Sequence, residues 1–190
     1  LNIYDPDFGS NLTDLIITLD YLRKKILQGT THPEIFFQLK HIFHMLESIG
    51  SARIEGNHTT IIEYIETKIE EPSSSNEEIL EIQNSEKAMQ FIDENISDTP
   101  INRAVISELH KIVVKGLKKE GSKTPGYYRK ENLVIAKSKH IPPDFSQVET
   151  YMNELIEFIN QKHPEKYDLL KTAIAHHRFA WVHPFDNGNG

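Results

Sequence analysis

Residues 166–190 read KYDLLKTAIAHHRFAWVHPFDNGNG, and this stretch governs how the rest of the chain is interpreted. Its apolar residues recur at steps of three and four, which predicts a helix from about Lys166 to Val182. After the helix, two glycines flank an asparagine within the last eight residues, and His183 stands at the entry. The stretch therefore predicts a helix that delivers a titratable side chain to a glycine-containing loop.

The loop has residue types that bind anions and cations. Gly188 and Gly190 permit positive φ and close backbone approach, so successive N–H groups can converge on a phosphate. The Asn189 amide can donate to the same oxygens. Asp186 or Asn187 offers an oxygen to a hard cation such as Mg²⁺.

His183 is a candidate general base, because an imidazole with its ordinary pKa of about 6.5 can accept a proton from a hydroxyl group. Together with the anion loop, this residue predicts phosphoryl or nucleotidyl transfer. From the glycine pattern alone, the more frequent alternative is a turn with a structural histidine.

Six further amphipathic helices are predicted upstream, each by apolar residues at steps of three and four. They cover residues 10–28, 32–55, 60–69, 76–96, 99–116 and 144–159. Capping boxes mark several starts, among them Thr60–Glu63, and Thr99-Pro100 is the predicted start of the fifth helix. Gly56 is suited to a left-handed cap after the second.

One segment has a different pattern. Residues 126–135 and 140–141 are rich in aromatic and β-branched residues, and Pro142-Pro143 ends the run, which predicts a short β-hairpin. The predicted fold class is therefore all-α, a bundle of about seven helices with one β-hairpin. We expect N-terminal helices over residues 1–58 and a core over residues 59–190, within one compact domain.

Composition narrows the functional classes. A net charge of −7 with a pI near 5.8 gives no basic surface for nucleic acid, and the absence of cysteine excludes disulfides, catalytic thiols and cysteine zinc sites. No apolar run approaches a membrane span and no signal peptide begins the chain, so we expect a cytoplasmic protein without a membrane partner. The chain lacks an initiator Met and ends inside the loop, which predicts part of a longer protein.

The segment His-Pro-Phe-x-x-Gly-Asn-Gly, residues 183–190, resembles the signature of the Fic domain family. Residues 126–135 resemble the flap of that family, and Ile141-Pro142-Pro143 followed by a helix is similar to what comes next there. The resemblance covers most of residues 60–190, and it implies a Fic-like helical fold with a hairpin flap.

The resemblance also implies a protein adenylyltransferase. His183 would be the general base toward a Ser, Thr or Tyr hydroxyl of a target protein, which attacks the α-phosphate of ATP and accepts AMP. Gly188, Asn189 and Gly190 would form the anion hole for the nucleotide. The acidic Mg²⁺ ligand of the family falls on Asn187, a departure, because a neutral amide holds the ion less strongly than a carboxylate.

Two further regions have roles implied by the resemblance. The flap would align the target protein by β-augmentation, through Tyr128, Arg129, Leu133, Val134 and Ile135. The segment Ser51-Ala52-Arg53-Ile54-Glu55-Gly56 resembles the family's inhibitory helix motif, whose signature positions are Ser51, Glu55 and Gly56. Glu55 would pair with a motif arginine that lies beyond Gly190, and would place negative charge where the γ-phosphate binds.

Other functions stay open at this stage. Glu55 could instead position a water for removal of AMP from a modified target, or the chain could be a nucleotide-responsive regulatory module with weak transfer. A His/Asp metal hydrolase built from His110, His176, His177 and Asp186 is less favoured, because adjacent histidines point to different helix faces. The resemblance admits a homodimer, and nucleic acid would bind only through a C-terminal domain outside this chain.

Overall fold

The computed structural model describes residues 1–25, 32–54, 56–69, 76–96, 99–135 and 138–189. Seven α-helices lie within these ranges: α1 Asn11–Lys24, α2 Pro33–Ile54, α3 Ile61–Ile69, α4 Glu77–Asn95, α5 Arg103–Val113, α6 Val148–Asn160 and α7 Asp168–Val182. Short 3₁₀ turns precede α6 and α7. The all-helical class is thus confirmed for the described part of the chain.

The structure divides into two units, each described by itself. The first unit comprises Leu1–Thr30 and Arg129–Pro184. Its core comes from α6, whose inward residues follow helical spacing and are fully buried: Val148, Met152, Leu155 and Phe158. Helix α7 packs on α6, and α1 contacts α7 through ionic contacts such as Arg23 to Asp168, 3.2 Å.

The second unit comprises Thr31–Tyr128 and Phe185–Gly190. Helices α2, α3 and α4 share a core of five buried residues: Ile49, Ala52, Tyr64, Ile79 and Ile82. The capping box predicted before α3 is confirmed, because the Glu63 N–H donates to Thr60 Oγ1 and the Thr60 N–H donates to the Glu63 carboxylate. The buried Asn84 amide donates to the carbonyls of Val113 and Lys115 and so holds the end of α5 against α4.

Two predicted boundaries are wrong. Helix α5 begins at Arg103 and not at Thr99, because the Asn102 side chain accepts from the Val105 N–H and caps the first turn. Helix α7 begins at Asp168, after a 3₁₀ turn over residues 165–167. The left-handed cap predicted at Gly56 is confirmed by a φ of +101°.

The predicted β-hairpin is wrong: no strand occurs within residues 126–135 and 138–141, the described part of that segment. The polar groups that a ladder would pair are used differently here. The Arg129 N–H donates to the Pro184 carbonyl, 2.8 Å, and the Arg129 side chain donates to the Glu131 carbonyl, 2.9 Å. An isolated two-stranded hairpin is marginal in water, and Val134 is 90% exposed, so burial adds little to pairing here.

The domain boundary predicted after residue 58 does not coincide with the two units and stays a prediction. Among the described residues, no helix combines the length and the apolar character that crossing a bilayer requires.

Candidate functional site

His183 lies directly after α7 and ends that helix. Its N–H donates to the Phe179 carbonyl, 3.0 Å, while its backbone turns into the left-handed region with φ +49°. Among the described residues it is the only one other than glycine with a positive φ. That conformation costs an L-residue about 1–2 kcal/mol, and such strain concentrates at functional positions.

The Arg129 side chain holds the backbone around this turn. It is 4% exposed, and its Nε donates to the His183 carbonyl, 2.9 Å. The other guanidinium nitrogens donate to the carbonyls of Glu131, Pro143 and Val182. The planar guanidinium thus donates hydrogen bonds both to carbonyls at the end of α7 and to the carbonyls of Glu131 and Pro143, which lie outside the helices.

Burial of the ring lowers the pKa of His183 below its usual value, and the positive charge of Arg129 and the neighbouring His140 act in the same direction. A hydrogen bond to the Ala180 backbone opposes the shift. The imidazole is therefore neutral at pH 7 and has a lone pair to accept a proton.

The loop after Pro184 is closed by its own residues. Phe185 is 1% exposed, and its N–H donates to Asn189 Oδ1, 2.9 Å. The Asn189 Nδ2 donates back to the Phe185 carbonyl, 3.1 Å. The Asn189 amide thus closes the loop in this structure, whereas the sequence predicts that it donates to a phosphate.

Gly188 has the backbone conformation that the sequence predicts, with φ +66°. A Cβ on this residue would lie 2.5 Å from the Val114 side chain on the neighbouring turn, so only glycine fits. Gly190 lies outside the described residues.

The two residues that offered oxygens for Mg²⁺ are otherwise engaged. Both carboxylate oxygens of Asp186 accept hydrogen bonds, from Ser122 Oγ and from the Lys123 N–H. The Asn187 Oδ1 accepts from the Gly188 N–H, 3.0 Å. Its Nδ2 faces the Glu120 carboxylate, 3.3 Å. An amide held between a donor and a carboxylate in this way is a poor stand-in for an acidic metal ligand.

No group of three or more His, Asp and Glu side chains with metal-binding geometry forms in the described part of the chain. His176 and His177 are exposed, while His110 is buried at 3% exposure. The described residues therefore do not bring these histidines together around an ion, and neither His176 nor His177 is a core residue.

His110, on α5, is the loop contact that sequence reasoning did not assign. Its ring stacks on Phe185 with centroids 3.7 Å apart and planes 3° apart. Nδ1 accepts from the Gly126 N–H, 2.8 Å, and Nε2 lies 3.0 Å from the Asn187 carbonyl oxygen. The only sequence signal is a histidine within the apolar spacing of a helix, which is not specific.

A small cavity of about 60 Å³ borders the loop. Its lining includes two residues of the predicted inhibitory motif and two of the loop: Ser51, Ala52, Asn187 and Gly188. Acidic groups face it from α4 and from the turn after α5, Glu81 and Glu120, and burial raises the pKa of Glu81. Glu55 itself lies outside the described residues, and α2 is described to Ile54.

The predicted flap residues fall into two sets. Tyr128 and Arg129 face inward: the Tyr128 ring contacts Phe185 and lies 3.5 Å beneath the Arg103 guanidinium, and Arg129 is buried as described above. Leu133, Val134 and Ile135 lie in a segment without regular secondary structure, in which Val134 is exposed and the other two are partly exposed.

Comparison with known proteins shows similarity to one family. Residues 100–190 match the model of the Fic/DOC family. The chain is 28% identical over 166 residues to the protein adenylyltransferase Fic of Nematostella vectensis, covering 83% of this chain and 35% of that protein. It is 29% identical over 163 residues to the protein of the same name from Aedes aegypti, covering 80% and 30%.

A solved Fic family protein from Desulfovibrio desulfuricans G20 has the same fold, with a TM-score of 0.65 at 22% identity, covering 98% of this chain and 56% of that one. Residues 100–190, slightly under half of the chain, are therefore similar to the Fic/DOC family. The chain spans about a third of the length of the curated relatives that it matches.

Proposed function

We propose that this chain carries the nucleotide-binding and catalytic residues of a protein adenylyltransferase, with ATP as the nucleotide. The observation that carries the proposal is the loop 185–189, which is held in place by buried contacts and follows directly on His183, a neutral histidine. The adenylyltransferase name of the relatives supports the same reaction.

In the proposed reaction, the neutral His183 imidazole accepts the proton of a Ser, Thr or Tyr hydroxyl on the target protein. The hydroxyl oxygen attacks the α-phosphorus of ATP, the bond from this phosphorus to the bridging oxygen breaks, and pyrophosphate leaves with that oxygen. Gly188 contributes a backbone N–H to the phosphate oxygens, an arrangement that stabilises developing negative charge. AMP remains on the target as a phosphodiester.

A Mg²⁺ ion is the expected companion of ATP, but the residues present do not fit an ion held by the loop. Asn187 is neutral and Asp186 is bonded to Ser122 and Lys123. The proposed steps therefore use only the histidine and the backbone donors.

We further infer that the transferase is autoinhibited in cis through Glu55. The cavity of about 60 Å³ supports this, because Ser51 and Ala52 of α2 limit the space beside Asn187 and Gly188. Glu55 follows Ser51 by four positions in sequence and would supply the charge that opposes the γ-phosphate.

The test is transfer of label from ATP labelled in its α-phosphate, onto the chain itself or onto proteins of an extract. We expect Glu55→Gly to raise labelling at least about tenfold, the effect of about 1.4 kcal/mol in a barrier. Addition of His183→Ala should remove it. Glu47→Gly, at an exposed position of α2, is the control for a weakened α2 and should leave labelling unchanged. Equal labelling by Glu55→Gly with and without His183→Ala would contradict the assignment.

A second candidate function, a nucleotide-responsive regulatory module, is favoured by one observation, the Asn187 amide turned toward Glu120. Calorimetry separates the two candidates. ATP binding that depends neither on Mg²⁺ nor on Glu55→Gly would support the regulatory module, and removal of AMP from a pre-modified target would instead support the reverse reaction.

A cytoplasmic location, docking of the target protein along residues 133–135 and a homodimer are proposals of the same standing. The homodimer follows from the family resemblance and the location from the apolar pattern of the sequence, whereas docking is also supported by the exposure of Val134.

A further inference from the structure

His110 has no part in the reaction described above, yet from α5 it contacts both Phe185 and Asn187 of the loop. Its ring is stacked on Phe185, and a Cβ placed on Gly188 would lie 3.4 Å from its Cδ2 and Nε2 atoms. The ring is 3% exposed, so its two nitrogens have protein partners and not bulk water.

The partners define the tautomer. The Gly126 backbone N–H can only donate, so Nδ1 must present its lone pair. The Asn187 carbonyl can only accept, so Nε2 must carry the proton. Both nitrogens are satisfied by one neutral tautomer, and burial, which lowers the pKa of His110, favours that neutral form.

The bond to Asn187 has a directional consequence. The Asn187 carbonyl and the Gly188 N–H belong to one planar trans peptide unit, in which the C=O and N–H bonds point in opposite directions. Holding the carbonyl oxygen against His110 therefore aims the Gly188 N–H away from the ring. Within the described residues, that N–H donates to a local acceptor, Asn187 Oδ1 at 3.0 Å, which a phosphate oxygen can replace.

We propose that His110 is a positioning residue that orients the Asn187–Gly188 peptide for phosphate binding through its Nε2–H. The inference rests on the proposed function, because it names the group that aims one of the anion-hole donors. Stacking on Phe185 holds the His110 ring beside the loop. The hydrogen bond from the Gly126 N–H to Nδ1 leaves Nε2 as the nitrogen that donates.

The first test needs no substitution. In protein with ¹⁵N-labelled histidine, the imidazole shifts of His110 should show a neutral ring with its proton on Nε2. A ring protonated on Nδ1 alone, or a charged ring at pH 7, would overturn the proposal.

The second test compares three variants in protein that also carries Glu55→Gly, with ATP as the probe. His110→Gln keeps an N–H donor near the Nε2 position, His110→Asn keeps only an acceptor near Nδ1, and His110→Phe keeps the stacking ring alone. We expect His110→Gln to retain ATP affinity within about threefold and the other two to lose about tenfold, the worth of one oriented hydrogen bond to a charged group. His41→Gln, an exposed histidine of the same unit, is the control.

The amide resonance of Gly188 supplies a readout that a loss of folding would not imitate. ATP should shift it in the His110→Gln variant and in the parent, and should shift it much less in His110→Phe at equal saturation. Equal ATP affinity and equal Gly188 shifts in all variants would overturn the proposal. Absence of AMP transfer, with these ATP effects intact, would instead contradict the proposed enzyme and leave the positioning role supported.

Discussion

Replacing Arg129 with Met should destabilise the protein strongly, although among the described residues its side chain donates only to carbonyl oxygens. The guanidinium donates to four carbonyls, of which that of Val182 is long at 3.4 Å and counts for little. At about 1 kcal/mol for each of the other three, the loss is about 3 kcal/mol, since Met leaves buried acceptors unpaired. With a slope of about 2 kcal/mol/M, the urea midpoint should fall by about 1.5 M.

Equilibrium unfolding in urea, followed by circular dichroism, measures this loss. Arg129→Lys should recover less than half of it, because an ammonium presents its donors from one point and cannot reach carbonyls on several sides. The matched control is Arg53→Met at an exposed position, which should change the free energy of unfolding by less than about 0.5 kcal/mol. A loss below about 1 kcal/mol for Arg129→Met would refute the claim that this side chain holds the turn at His183.

Two further perturbations have definite expected outcomes. Gly188→Ala should lower the free energy of unfolding by about 2 kcal/mol, because φ is +66° and the new Cβ would clash with Val114, whereas Gly9→Ala meets no atom within 4 Å and should be neutral in the same thermal melts. Burial lowers the pKa of both His110 and His183 in the folded protein. Below about pH 6.5 the unfolded chain therefore binds more protons than the folded one. The contribution of these two histidines to the free energy of unfolding should be fully present above that pH and be lost as the pH falls through the folded pKa values. The prediction would be contradicted by a free energy of unfolding that stays constant or rises from pH 7 to pH 5. The measurement should use a variant that lacks other groups with shifted pKa values.

Features that depend on neighbours in sequence were predictable. The apolar spacing of α6, the reciprocal bonds between Thr60 and Glu63 and the positive φ of Gly56 all follow from interactions within about four residues. The loop motif is local too, and the glycine predicted to need a positive φ at 188 has one.

Features that depend on distant partners were not predictable. The sequence predicts Asp186 as a possible cation ligand. In the structure, one of its carboxylate oxygens accepts a hydrogen bond from Ser122, which lies 64 residues away in sequence. Arg129 looked like a strand residue, but its acceptors include carbonyls more than 50 positions later. Local β-propensity competes with such tertiary hydrogen bonds. Here the hydrogen bonds of the buried Arg129 guanidinium form and a strand does not.

Because His183 has a left-handed backbone conformation, a substitution that stabilises the fold at this position would also remove the proposed general base. Glycine adopts this conformation without the cost of about 1–2 kcal/mol that an L-residue bears, so His183→Gly offers the fold relief while it deletes the proposed base. Laboratory evolution that selects for thermal tolerance alone would favour variants that lack the proposed base at position 183. Screens for robust versions of the protein should therefore couple every round to a readout of turnover.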